Sequence, residues 1–335
     1  MITNLLKGKE NQLQVIKKYL LAAVLVFLVC TPKIISSLYV LHIFISCFIY
    51  IALTLSLNLI IGWSGQFSLG HVCFFGMGAY ITTLLMMNTG MSFWFALLIS
   101  AVCTGVLGAL LCIPTLKLRG DYLAVVTLGF GEVFRLVMTN WTSVTRGPMG
   151  LPGIPSPSLF GISLHSRVQF YYMGLIVMLL VVFFMVRLNN SGFGLSMLAM
   201  NDDDIAASSI GIYPVKFKLW AFVIGAVIAA FVGSFYAIYI GFISPSSFTY
   251  QGSITMCAMV VLGGMASIPG SVFGAVILTV LPEALRAFSD YRMVLYGATM
   301  VLMMLFKPMG IWGIDKRIRN EYKLKTKGGR KWKQS

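Results

Sequence analysis

Apolar stretches of about 16 to 24 residues recur along this chain, the length of helix that crosses about 30 Å of hydrocarbon at about 1.5 Å per residue. Within hydrocarbon no water satisfies the backbone, so only α-helices and closed β-barrels span it. A barrel strand would be about half as long and would alternate apolar with polar side chains. These runs show no period of two, which leaves an all-α integral membrane protein, a polytopic helical bundle. Composition agrees: of 335 residues, 58% are apolar and 10% charged, where a soluble domain carries about a quarter charged residues, and the mean hydropathy is +0.88.

About ten crossings satisfy three demands at once: apolar length, breaks at Gly, Pro or charge, and Lys and Arg kept inside. They fall at about residues 19–35, 38–61, 71–88, 93–113, 121–139, 169–186, 218–240, 253–264, 270–286 and 291–306. The run at 253–264 is short and reads either as a full crossing or as a half-helix buried in protein. The expected organisation is a cytoplasmic N-terminal segment 1–18, a single transmembrane domain 19–307 and a basic cytoplasmic tail 308–335. Inside that domain lie an external loop at 140–168 and an inner loop at 188–217. Pro148, Pro152, Pro155 and Pro157 exclude one regular helix from the external loop.

The net charge is +15, and its basic residues gather at the two ends. Lys7, Lys9, Lys17 and Lys18 at one end, and the set from Lys316 to Lys333 at the other, place both termini in the cytoplasm. A polybasic segment beside a membrane meets anionic lipid rather than nucleic acid. The cysteines lie within or against apolar runs without CxxC spacing and read as small apolar side chains.

The stretch Asn201, Asp202, Asp203, Asp204, Ile205, Ala206, Ala207, Ser208, Ser209, Ile210, Gly211 combines an N-cap, three acids in a first turn, helix formers and a glycine where a left-handed C-terminal residue belongs. It predicts a cytoplasmic helix over about 202–210. So short a helix is marginal alone in water, and it rests either in a partner's groove or on its own bundle. Three consecutive acids diverge around a helix by about 100° each and lack the oxygen set of a calcium loop.

Residues 62–70 are rich in Gly and Ser and predict a bent or broken helix. Asn58, Gln66, Ser68 and His71 at that break, with Glu132 in the fifth run, are the candidates for lining a translocation path. The lone His71 also reads as a hydrogen-bonded structural group, and no second His lies at metal spacing. Glu132 and Arg135 lie three apart and share a helix face, where they form a structural pair or mark function. Glu283 and Arg286 repeat the spacing, and Gly270 and Gly274 form a GxxxG pair suited to close helix packing.

Several ordered segments carry a further signal. They are Leu57-Asn58-Leu59 with Gly62-Trp63-Ser64-Gly65-Gln66-Phe67-Ser68-Leu69-Gly70-His71; Arg119-Gly120-Asp121-Tyr122-Leu123-Ala124; Thr145-Arg146-Gly147-Pro148-Met149-Gly150-Leu151; Ala206-Ala207 with Gly211-Ile212 and Lys218-Leu219-Trp220-Ala221-Phe222; and Val261-Leu262-Gly263-Gly264-Met265-Ala266-Ser267. In order and spacing the chain resembles the permease subunits of branched-chain amino acid ABC importers of the LivM type, over about residues 50–310. The Arg-Glu pair usual in that family stands here as Asn201-Asp202.

The resemblance implies a transport subunit in a bacterial or archaeal cytoplasmic membrane, with no cofactor of its own. It implies as partners two ATP-binding cassette subunits that use ATP and Mg, a second homologous permease and an extracytoplasmic binding protein. The helix at 202–210 would then be the coupling helix that meets the ATPase, with Asn201, Asp202, Asp203, Asp204, Ala206, Ala207 and Gly211 in contact. No G-x-x-x-x-G-K-[ST] occurs in the chain, so ATP is not bound here by a P-loop. The other readings are a related permease for urea, short amides or a sugar, and a stand-alone secondary transporter or channel.

Overall fold

The computed structural model describes residues 23–33, 37–116, 118, 120–159, 162–163 and 166–284, with 297, 301, 310 and 311. Lys117, Arg119, Arg286, nearly all of the run at 291–306, and the basic clusters at both termini lie outside the described residues, and so do the segments 1–18 and 312–335.

Helices account for most of the described chain. In order they are α1 (Ala23–Lys33), α2 (Leu38–Asn58, extended by a π-helical turn Leu59–Trp63), α3 (His71–Thr89), α4 (Phe93–Thr115), α5 (Asp121–Asn140), α6 (Thr142–Thr145), α7 (Arg167–Asn189), α8 (Gly192–Asp202), α9 (Asp204–Ser209), α10 (Pro214–Ile240), α11 (Tyr250–Gly263) and α12 (Ile268–Ala284). Six of them, α2 with its π turn, α3, α4, α5, α7 and α10, are long and apolar enough to cross a membrane. They coincide with the second to seventh runs to within a few residues. α10 begins at Pro214, four residues before its expected start, because proline suits the first turn of a helix, where its missing N–H has no partner to lose.

Most of the long helices are apolar around most of their circumference, so burial follows position in the bundle; α5 is the exception and buries one stripe, Leu123, Ala124, Thr127, Gly131 and Phe134. α10 is 72% buried over its most apolar stretch and α5 only 28%, so α10 is the scaffold and α5 a flank. Small residues bring α3 and α10 together: Thr82 and Ser234 share a hydrogen bond of 2.6 Å, and the Ser100 hydroxyl of α4 donates to the Gly78 carbonyl at 3.1 Å. Phe75, Tyr236 and Phe248 interlock beside them with ring centroids 5.1 to 6.2 Å apart.

The segment at 140–159 is not one helix. After α6 and a 3-10 turn (Gly147–Met149), the strand β1 (Leu151–Pro152) pairs antiparallel with β4 (Phe242–Ile243), and β2 (Ser158–Leu159) pairs with β3 (Ile162–Ser163). From β4 the chain turns into the protein through Pro245–Ser247, burying Ile243 and Phe248. It then forms α11, whose 14 residues rise about 21 Å, short of about 30 Å of hydrocarbon. Ser244 and Pro245 of the turn before α11 are buried too, while Ser246 and Ser247 are exposed.

The glycine pair predicted for close packing lies on the α11 face of α12. A Cβ at Gly274 would overlap the Met259 carbonyl oxygen, and one at Gly270 the Gly263 carbonyl oxygen. Backbone cannot yield as a side chain tip can. Gly274→Val is therefore expected to destabilise the bundle by about 1–3 kcal/mol or more, the scale of overpacking a filled core. The lowered thermal unfolding midpoint of detergent-purified protein checks it, and Val276→Ile, on the same helix but only partly buried, should leave the midpoint near the parental value.

Candidate functional site

The break after α2 organises the site. At its C-terminal end the helix widens into a π turn, with Ser64 N–H bonded to the Leu59 carbonyl at 3.2 Å and Gln66 N–H to the Ile60 carbonyl at 3.0 Å. Gly65 has φ +70°, a conformation glycine adopts without strain. Residues 65–69 then run outside helix, and side chains bind backbone at both ends of the gap: Leu69 N–H donates to Thr127 Oγ1 of α5 at 2.9 Å, and Val72 N–H, in the first turn of α3, to Ser253 Oγ of α11 at 3.1 Å.

The five candidate path residues differ in what they bind. Asn58, the last residue of α2, is buried and spends its amide on the turn between α11 and α12. Its Nδ2 donates to Ser271 Oγ at 2.7 Å and to the Ser267 carbonyl at 3.2 Å, and its Oδ1 accepts from Ala266 N–H at 2.9 Å. Gln66 is buried beside Ser64, whose hydroxyl lies 3.0 Å from Gln66 Oε1. Ser68 is buried with no partner for its hydroxyl among the described residues.

His71 is fully buried, with Nε2 2.7 Å from Ser56 Oγ. That hydroxyl already donates to the Leu53 carbonyl at 2.8 Å, so the imidazole carries its proton on Nε2 and leaves Nδ1 as an acceptor without a partner among the described residues. Glu132 is bound by Arg135 Nε at 2.8 Å on the half-buried face of α5, and its second oxygen, Oε1, is buried without a partner among the described residues. Glu283, expected opposite Arg286, accepts from the Tyr39 hydroxyl at the start of α2.

The predicted helix at 202–210 is two helices. Asn201 and Asp202 belong to the end of α8, and α9 starts after Asp203. The N-cap is therefore Asp203, not Asn201: Asp203 Oδ1 accepts from Ile205 N–H at 2.8 Å and Ala206 N–H at 3.0 Å. Asn201 instead sends its Nδ2 to the Gly62 carbonyl of the π turn, 2.7 Å away. That contact spans 139 residues of chain and outweighs the local capping pattern. The loop at 188–217 is thus mostly helical, with α8 anchored by buried Met197 and Met200.

α9 ends as its sequence indicates. Gly211 takes φ +86°, Ile212 N–H bonds to the Ala207 carbonyl and Gly211 N–H to the Ser208 carbonyl, both at 3.1 Å, the paired bonds of a Schellman cap. Asp204 is tied to α10 by Lys218 Nζ at 2.7 Å, and Ala207 is the residue of α9 that packs inward. The feature missed in the sequence is apolar. Ile205 is 79% exposed and Ile210 74%, with Tyr213 beside them also exposed. In a chain this hydrophobic, two isoleucines carry no signal until the fold shows that nothing covers them.

The two amide hydrogen bonds hold the Asp203 carboxyl below the usual aspartate range. A carboxylate depressed by folding stabilises the fold above its unfolded pKa and loses that contribution as pH falls through its folded one, so the cap is intact throughout the neutral range. Asp203→Ala is expected to fray α9, and Asp203→Asn, another good N-cap, to keep it. Amide exchange over 204–209 checks this, with protection lost in the first variant and retained in the second.

Comparison with known proteins places this arrangement among transport permeases. Residues 39–304 match the family described as "Branched-chain amino acid transport system / permease component". The chain is similar to the high-affinity branched-chain amino acid transport system permease protein LivM of Salmonella typhimurium, 38% identical over 92% of this chain and 77% of that one. It is 39% identical to LivM of Escherichia coli over 88% and 75% of the two chains. A probable LivM of Methanocaldococcus jannaschii is 26% identical over 64% and 67%.

Proposed function

The chain belongs to the branched-chain amino acid transport permease family, and from that premise we propose how it works as the membrane-spanning subunit of an ABC importer. It is a multi-pass membrane protein and a transport subunit rather than an enzyme. In our reading it pairs with a second homologous permease, docks two ATP-binding cassette subunits that use ATP and Mg, and takes substrate from an extracytoplasmic binding protein, in the cytoplasmic membrane of a bacterium or archaeon. The end carrying α8 and α9 faces the cytoplasm, in keeping with Arg187, Lys216 and Lys218 at that end.

The observation that carries this reading is the α9 surface. A capped helix of six residues presents Ile205 and Ile210 to solvent at one end of the bundle, with Asp202 and Asp203 exposed beside them. Anionic lipid repels those acids, and water does not favour those isoleucines. A protein groove with basic residues at its rim suits both. Asn201, Asp202, Asp203, Asp204, Ala206, Ala207 and Gly211 form, cap or flank this docking element, and Ile205 and Ile210 supply its apolar contact.

Gln66, Ser68, His71 and Glu132 remain our candidates for the path. Ser68, His71 and Glu132 each hold a buried polar atom without a partner among the described residues, as a surface does that exchanges contacts with a passing polar ligand. α5, the least buried of the six long helices, carries the Glu132 and Arg135 pair on a flank that the second permease would cover. A charged pair there costs less against protein than against lipid.

The test is copurification from native membranes followed by uptake in proteoliposomes. The tagged chain should recover ATP-binding subunits and support uptake of a branched-chain amino acid only with ATP. Ile205→Asp with Ile210→Asp should cut ATPase recovery by about tenfold or more, as loss of a buried anchor does. Uptake by the chain alone, with no ATPase recovered, would contradict the reading.

A further inference from the structure

We propose that Asn58 is a positioning residue of the transport cycle, the joint through which displacement of α8 and α9 is passed to α12. This rests on the coupling role proposed above and deepens it by naming what the coupling element moves. Three contacts form the joint. Asn201 of α8 holds the Gly62 carbonyl at 2.7 Å. Gly62 lies in the π turn so close to Asn58 that a Cβ there would overlap both Asn58 Oδ1 and the Ala266 nitrogen. Asn58 in turn makes three hydrogen bonds to residues 266, 267 and 271, and Trp63 Nε1 adds a fourth from the π turn to the Ala266 carbonyl at 3.2 Å.

The receiving turn is built as a joint. Ala266 has φ +60° and Gly264 φ +119°, and a left-handed alanine persists only where its surroundings over-determine it. Here Asn58 holds its N–H and Trp63 its carbonyl. Ser267 passes the constraint on, since its hydroxyl accepts from Gly270 N–H at 3.2 Å in the first turn of α12. At the far end of α12, Glu283 is held by Tyr39 of α2. α2 therefore grips α12 near both ends, and the grip beside α8 shares a turn of backbone with the α8 contact. The Asn58 bonds to Ser267 and Ser271 are buried, where no water replaces them, while the Asn201 and Ala266 bonds are part-buried; a shift of α8 reaches α12 through this series.

The experiment uses the complete importer complex in proteoliposomes, comparing the parent with Asn58→Leu, Asn201→Ala and the double variant. Copurified ATPase, ATP hydrolysed and amino acid transported are measured on each. Asn58→Leu, close in volume but without polar atoms, should retain ATPase recovery and hydrolysis within about twofold and lower transport per ATP about tenfold, the weight of roughly one buried hydrogen bond. The double variant should be no worse than Asn58→Leu, because both substitutions interrupt one connection.

Transport per ATP within about twofold of the parent in Asn58→Leu, or single effects that multiply in the double variant, would overturn the proposal. If Asn58→Leu fails to assemble, Trp63→Phe removes one bond to Ala266 while keeping a ring in place. Unchanged transport per ATP in that variant would equally overturn the proposal, and a severalfold loss would support it. A parent complex that hydrolyses ATP without taking up amino acid would instead refute the importer reading itself, before any variant is compared.

Discussion

A helix interrupted among buried apolar side chains must find partners for every backbone group it frees, because lipid offers none. The break between Trp63 and His71 is where this chain meets that demand, and much of the architecture follows from how it does so. Thr127 on α5, Ser253 on α11 and Asn201 on α8 each bind backbone near the break, and Asn58 at its start binds the turn before α12. Four elements distant in sequence are fixed around one irregular segment. The same bonds that make the break tolerable make it a meeting point.

That arrangement separates a rigid body from more weakly attached parts. α10 runs through the middle, pressed against α3 by small residues, and α12 lies on α11 with glycines at the contact. α5 is held chiefly along one face. α9 touches the bundle through Ala207 and the Asp204 and Lys218 ion pair and turns its isoleucines outward. α8, which carries the contact to the break, is itself anchored by buried Met197 and Met200, so a partner's push on α9 reaches the core through packed side chains as well as through the Asn201 bond. This is the property an importer needs where hydrolysis occurs in one polypeptide and passage in another.

Long-range order among helices was legible in the sequence wherever length and apolarity decide, as in the six helices from Leu38 to Ile240. The break at 62–70 was legible from its glycines and serines. The true start of α9 was not. Asn201 and Asp203 are both good caps, and the choice between them turns on Gly62, 139 residues away. Asn58 read as a polar residue at membrane depth, hence a path candidate, although its amide is committed to a turn whose left-handed Ala266 no local pattern announces. Ile205 and Ile210 were invisible for the opposite reason: exposure, not identity, makes them informative.

In a working importer complex α9 and the turn before α12 should move together. Spin labels at Ser209 and Met265, both exposed, and a third at Val102 on the outward face of α4, would measure this by pulsed electron resonance in the nucleotide-free and ATP-bound complexes. A Ser209 to Met265 distance that stays fixed while both shift against Val102 is the predicted result. A Ser209 to Met265 distance that changes with nucleotide, with Met265 still against Val102, would contradict the account.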